Sequence, residues 1–313
     1  MKHDINRRGF LKSSVAVSAS VAAAGLSLDK NVVQAKEGEQ AGATKPTQGG
    51  TALPMAKIGN VEMSRLIAGG NQINGYAYGR NLLFVPGLMK HYLTDAKILE
   101  IFETAEKNGI NTIIMNNSVR EAEIKGITLL NKYWKERGGK IQWLAQCNPK
   151  PEDLTTNIKL AIDQGATGIF IQGGIADKWI KEGKVDLIAK VVEFVKLNGL
   201  IAGTGGHMIE VPMTCEKEKV PVDFYFKTIN NADFHCDEPQ KVIEFMKTVK
   251  KPWIGYKVLG AGIVRPKEGF KFAFEGGADV IVCGMFDYEM EENATVARNL
   301  LAGQLKRERP WLA

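Results

Sequence analysis

Eight times along the chain a short run of β-branched and apolar residues is followed by a turn and then, usually, by an amphipathic helical pattern. The strands expected from these runs are SRLIAGG (64–70), NTIIMNN (111–117), IQWLAQC (141–147), GIFIQGG (168–174), GLIAGTGGH (199–207), DFYFKTI (223–229), WIGYKVLGAG (253–262) and DVIVCGMF (279–286). Several are almost continuously apolar, as parallel strands covered on both faces must be. The helical stretches end in glycine at Gly109, Gly165, Gly199 and Gly277, where a left-handed C-terminal cap meets no Cβ clash. Eight strand units, with helices that end in glycine at these four places, at intervals of about 30 residues, predict an α/β fold closed as a (β/α)8 TIM barrel. The alternative is an open doubly wound sheet, which needs a reversal of strand order. The unit after strand five, MIEVPMTCEKEKVPV, holds only a short helical pattern between Pro212 and Pro221 and predicts a truncated helix.

The barrel pattern begins only after a different kind of sequence. NRRGFLK, with Arg7 and Arg8, precedes an Ala-rich run from Val15 to Leu26, and VQA at 33–35 places small residues at a cleavage site. This predicts a twin-arginine signal over 1–35, export to a periplasmic or extracytoplasmic location, a flexible polar linker over 36–54 and a barrel domain over 55–313. The apolar run is too short and too rich in Ala and Ser for a spanning helix.

Charge changes this picture little. The whole chain has 41 Lys and Arg against 35 Asp and Glu, and the first 35 residues contain five of the former and two of the latter, so the remainder carries +3. With no dense basic block, a nucleic-acid partner or a membrane-surface role is disfavoured, and a small-molecule substrate is expected. Cys147, Cys215, Cys236 and Cys283 have no close spacing and predict no disulfide framework.

Active sites of this fold lie at the C-terminal ends of the strands. The expected strand ends carry Asn71, Asn116, Gln146, Gln172, His207, Lys227, Lys257 and Cys283. Four amides in the first half suit hydrogen bonds to a neutral, hydroxyl-rich ligand. The long segment after strand one adds Tyr76, Tyr78, Arg80, Phe84, His91 and Tyr92, aromatic and polar groups suited to a lid over a sugar-like ring. An ammonium in either dry layer of a barrel is costly, so Lys227 and Lys257 are both expected in the polar mouth, each lowering the pKa of the other. His207 is placed for acid/base work, and His207 with His235 and Asp237 form a candidate divalent-metal set. Arg265, after the Gly-rich GAGIV, is a candidate for a phosphate or carboxylate.

The opening MAKIGNVEMSRLIAGGNQINGYAYG and the later AEKNGINTIIMNN resemble the start of aldo/keto reductases, over roughly the first quarter of the barrel region. The resemblance implies a TIM barrel with a nicotinamide dinucleotide, an Asp and a Tyr after strand two, a Lys at strand three and a His at strand four. Here those places hold Asn116 with no nearby Tyr, Gln146 with Cys147, and Gln172. The tetrad is not carried over, so NAD(P) chemistry is disfavoured. DFYFKTI and GYKVLGAGIVRPKEGFKFAFEGGADVIVCG are similar to deoxyribose-phosphate aldolases, a resemblance that implies Lys227 as a Schiff-base nucleophile and Lys257 as its partner.

The function expected from these residues is a lyase, aldolase or isomerase step on a small hydroxylated carbonyl or carbohydrate-derived compound, with His207, Lys227 and Lys257 as the catalytic set. Two alternatives stand beside it. One is a metal-dependent isomerase or hydrolase centred on His207; the other is a reductase-derived oxidoreductase or a non-catalytic sugar-binding barrel.

Overall fold

The computed structural model describes residues 52–75, 82–117, 121–236 and 238–313. The expected export signal, most of the linker, and Tyr76, Tyr78, Arg80 and Asp237 lie outside the described residues.

The barrel strands are β3 (Leu66–Gly69), β4 (Thr112–Asn117), β5 (Gln142–Cys147), β6 (Gly168–Ile171), β7 (Ile201–Gly206), β8 (Phe224–Thr228), β9 (Trp253–Tyr256) and β10 (Val280–Gly284). Each pairs in parallel with its neighbours, and β10 returns to β3 with Ile281 opposite Leu66 and Gly284 opposite Gly69. That closure excludes the open doubly wound sheet.

The helices between them are α1 (Val85–Tyr92), α2 (Asp95–Lys107), α3 (Glu121–Arg137), α4 (Thr156–Asp163), α5 (Gly173–Lys181), α6 (Val185–Leu197), α7 (Glu210–Lys217), α8 (Pro239–Thr248), α9 (Pro266–Glu275) and α10 (Asp287–Ala302). The truncated helix expected after strand five is α7. Gly109, Gly165, Gly199 and Gly277 all have positive φ, as their cap positions require. No helix of the described residues is long and apolar enough to cross a membrane.

One element was not foreseen. Ahead of the barrel, β1 (Met55–Ile58) and β2 (Val61–Ser64) form an antiparallel hairpin with Ile58 opposite Val61. Two-residue alternation turns Ala56, Ile58, Val61 and Met63 to one face, where they pack with the inward Ile67, Leu144, Ile201 and Ile254 of the barrel. The hairpin is anchored at the N-terminal strand ends, because the side chains of Asn111 and Gln142 both donate to the Glu62 carbonyl. It therefore plugs the bottom of the barrel and leaves the C-terminal mouth open.

The same end carries a buried charge cluster. Asp279, fully buried, accepts from the Trp253 N–H and meets Arg307 at 3.0 Å and Arg309 at 2.6 Å. Its backbone carbonyl accepts from Arg65, which leads into β3. The Trp311 ring is flanked by the guanidinium groups of Arg65 at 4.0 Å and Arg307 at 3.8 Å. The C-terminal tail is thus bound to the seam where β9, β10 and β3 meet.

Removing a single partner from a buried ion pair strands the others. Asp279→Ala is expected to lower unfolding stability by about 3–5 kcal/mol, measured by urea unfolding of the full chain. A loss below about 1 kcal/mol would show that the seam does not depend on this cluster.

Candidate functional site

At the C-terminal mouth lies a cavity of about 700 Å³. Its floor is the aromatic end of the barrel interior: Phe170 and Phe226 have ring centroids 4.2 Å apart, and Tyr256 stacks on Phe226 at 4.3 Å. Above that floor the sequence-expected amides do gather. Asn71, Asn116, Gln146 and Gln172 all line the cavity. Asn116 Oδ1 accepts from the side chains of Gln146 at 3.1 Å and Asn148 at 2.7 Å, so these amides form a braced row. The Gln172 side chain also caps α5 by accepting from the Ile175 N–H.

His207 lines the same cavity at the end of β7. Its Nδ1 lies 2.7 Å from a carboxylate oxygen of Asp177, on α5. The same carboxylate accepts from the backbone N–H groups of His207 and Met208, each at 3.0 Å. A carboxylate that accepts from two amides acts as an acceptor here, so Nδ1 carries a proton and Nε2 presents its lone pair. The sequence reading missed Asp177. Its signal was an acidic residue one turn into the helix that starts at a strand end, on the helix face turned to the barrel.

Lys227 is not in the mouth, contrary to expectation. Phe224 and Phe226 fill the barrel interior, so two-residue alternation sends Lys227 to the helix-facing side of β8, where it is 1 % exposed. The ammonium is accommodated there by oxygen atoms: it donates to the His207 carbonyl at 2.8 Å and to Thr228 Oγ1 at 2.7 Å. Carbonyl and hydroxyl oxygens at the strand ends are among the partners of this buried ammonium. Lys227 thus holds the His207 carbonyl and does not line the cavity.

Lys257 does line the mouth. It follows β9 with a left-handed φ of 59°, and the turn swings its side chain toward Phe234, whose ring centroid is 4.7 Å from Nζ. Burial pushes its pKa down to about 8. The cause is desolvation, not the neighbouring cation that the sequence suggested. Tyr256, also unforeseen, has its ring 5.6 Å from that of His207 and 5.8 Å from Lys257 Nζ, which places all three on one wall. A Cβ on Gly173 would stand 2.7 Å from the Tyr256 hydroxyl and 3.1 Å from His207 Cε1, so glycine keeps this corner open.

The remaining expectations divide. Cys283 lines the cavity, but burial raises its thiol pKa far above the ordinary range, so it offers no thiolate. Arg265 is exposed, precedes α9 and does not line the cavity. In its loop the N–H groups of Gly260, Gly262, Ile263 and Val264 are all spent on carbonyls of Lys257 and Leu259, so they form no phosphate cradle. The rings of His207 and His235 lie 4.8 Å apart, but no group of three metal-ligating side chains gathers among the described residues. Asp237, the third member of the expected metal set, lies outside them. Of the expected aromatic lid only Tyr92 among the described residues reaches the cavity; the rest of that wall is Val85, Leu88 and Met89 of α1.

No family model matches the chain, and no curated protein matches it. Its fold is similar to two solved structures of provisionally named aldo-keto reductases from Pseudomonas aeruginosa. One is 15% identical with a TM-score of 0.57, covering 79% of this chain and 94% of that one. The other is 14% identical with a TM-score of 0.54, covering 79% and 96%. A third similar structure is the BexX/CysO complex of Amycolatopsis orientalis, at 12% identity and a TM-score of 0.51, covering 80% and 95%. At these identities the likeness is one of fold, and it agrees with the closed barrel.

Lys257 loses its proton more readily in the folded chain than in the unfolded one. Its presence costs stability below about pH 8, and that cost fades as pH rises from 8 toward the ordinary lysine value of 10.5. The stability gain of Lys257→Met over wild type is therefore expected to shrink across that window, with the Lys257 ε-carbon NMR resonance titrating near pH 8. A midpoint above 10 would contradict the burial seen here.

Proposed function

We propose that this barrel is an enzyme that moves a proton next to the carbonyl of a small hydroxylated compound, in an isomerase or lyase type of reaction. The observation that carries the reading is the Asp177–His207 pair opening onto a cavity with an amide row on one side and Lys257 on the other. Nε2, the ring nitrogen of His207 that Asp177 does not engage, takes the proton from carbon. The electron pair moves to the carbonyl oxygen, where the Lys257 ammonium, still largely protonated at neutral pH, stabilises the developing negative charge. In an isomerisation the proton of the neighbouring hydroxyl passes to the enolate oxygen, that hydroxyl becomes the new carbonyl, and protonated His207, balanced by Asp177, returns its proton to the former carbonyl carbon. In an elimination the enolate electron pair returns to expel the β-oxygen, which takes the proton from His207. Asn116, Gln146 and Gln172 suit the remaining hydroxyl groups as donors and acceptors.

A second reading is favoured by one observation. An Asp, a His, a Tyr and a Lys meet at this mouth, the types that the reductase resemblance implies, but they come from α5, β7 and β9. Thermal stabilisation by NADPH in preference to hydroxylated carbonyls would support carbonyl reduction with Tyr256 as the acid. We further propose that the enzyme works outside the cytoplasm, on the strength of the Arg7–Arg8 segment. Arg7→Lys with Arg8→Lys should retain the protein in the cytoplasmic fraction; unchanged export would refute that location.

Proton transfer is tested by NMR in deuterated water, following loss of the C–H signal beside the carbonyl across a panel of hydroxylated ketones and aldehydes. His207→Asn should abolish exchange, and Asp177→Asn should slow it by about 10²–10⁴-fold. Exchange that persists in His207→Asn, or none across the panel with no thermal stabilisation by any member, would sink the reading.

A further inference from the structure

The amides and the large apolar side chains gather on different sides of the cavity, with Lys257 and Glu289 as charged groups on the apolar side. Asn71, Asn116, Gln146 and Gln172 stand at the C-terminal ends of β3 to β6 and make one arc, whereas Val258, Leu259 and Phe286 follow β9 and β10 on the other. Leu88 and Met89 of α1 extend the apolar arc upward. That wall continues out of the cavity into solvent: Leu88 lines it and is 61% exposed, and Tyr288 lines it and is 69% exposed. Leu83 and Phe84, just before α1, are 96% and 66% exposed. Large apolar side chains held in water at a cavity mouth are favourable partners for an apolar group that covers them.

The wall is also braced. The Tyr92 hydroxyl donates to Asp287 at 2.6 Å, its ring meets Phe286 edge-on at 5.8 Å, and Lys97 reaches Asp287 at 3.0 Å. These contacts tie α1 and the start of α2 to the start of α10, so the apolar surface is formed before anything binds. A cavity of about 700 Å³ is of the size that encloses drug-sized molecules, larger than a three- to six-carbon hydroxylated carbonyl fills.

We infer that the substrate is amphipathic: a hydroxylated carbonyl head seated on the amide arc, with an apolar arm the size of a phenyl ring or short alkyl chain leaving between α1 and the start of α10. This rests on the functional reading above and narrows its substrate class. Leu88 and Tyr288 are then specificity-determining residues, and they act on binding of the arm, not on the proton transfer at His207.

Titration calorimetry on the full chain with hydroxyacetone and 2-hydroxyacetophenone compares the same α-hydroxyketone head with a methyl or a phenyl arm. The phenyl compound is expected to bind at least about tenfold tighter. In Leu88→Asn with Tyr288→Ser, both surface changes, that preference should shrink to about threefold or less, with circular dichroism confirming the fold. Equal affinities, no binding of either compound, or a preference that survives the double variant overturns the inference. A phenyl preference without deuterium exchange supports the apolar arm while the proton-transfer reading falls. Exchange with both compounds and no preference does the reverse. Tight attachment of the chain to phosphatidylcholine vesicles, lost in the same variant and unaffected by either ketone, would assign the surface to a membrane and overturn the inference as well.

Discussion

A closed parallel sheet has no free edge, so every strand spends its backbone hydrogen bonds on its two neighbours, and any difference between the two ends of the barrel must come from side chains and connections. This chain treats its ends in opposite ways. At the N-terminal end the β1–β2 hairpin fills the interior with Ala56, Ile58, Val61 and Met63, and Asp279 binds the tail across the closing seam. At the C-terminal end Phe226 and Tyr256, with Phe170 beside Phe226, lie at the base of the cavity. One end provides rigidity, and the other is left as a cavity standing on that rigid floor.

The mouth inherits its order from the strands beneath it. His207 is fixed from two sides: Asp177 accepts hydrogen bonds from its Nδ1–H and backbone N–H, and Lys227 donates to its carbonyl from the next strand. Such double anchoring restricts both the ring and its backbone, which is what a group that exchanges protons at one defined atom requires. Lys257 obtains its special character differently. Burial, against the ring of Phe234, costs its charge part of its hydration and brings it into the pH range where a lysine can be either charged or neutral.

The amide row shows a related economy. Gln146 and Asn148 both donate to Asn116, and Gln172 caps α5, so these side chains are positioned before any ligand arrives. The aromatic and aliphatic wall opposite is held by Tyr92, Phe286 and Asp287. Amides thus gather on the β3–β6 side of the mouth and large apolar side chains mostly on the side of α1, β9 and β10, where Lys257 and Glu289 also lie.

Barrel closure was legible in the sequence because apolar runs, helix periods and glycine stops are local patterns, and eight of them in order have few ways to pack. The amide half of the mouth was legible for the same reason: Asn116, Gln146 and Gln172 stand at strand ends wherever those strands lie. The first hairpin was not, since MAKI and VEMS are short and their purpose appears only when a barrel end needs filling. Asp177 was not, because it sits a turn into a helix and meets His207 only through tertiary packing of α5 on β7. Lys227 shows the limit most clearly. Its strand was assigned correctly, but which face of that strand it occupied depended on Phe224 and Phe226 claiming the interior, and its acceptance in a dry layer depended on a carbonyl contributed by the neighbouring strand. Sequence determined the order of the elements and the residue types at their ends. Tertiary structure decided which side chains share a cavity, because that choice rests on the phase of each strand and on contacts between residues far apart in the chain.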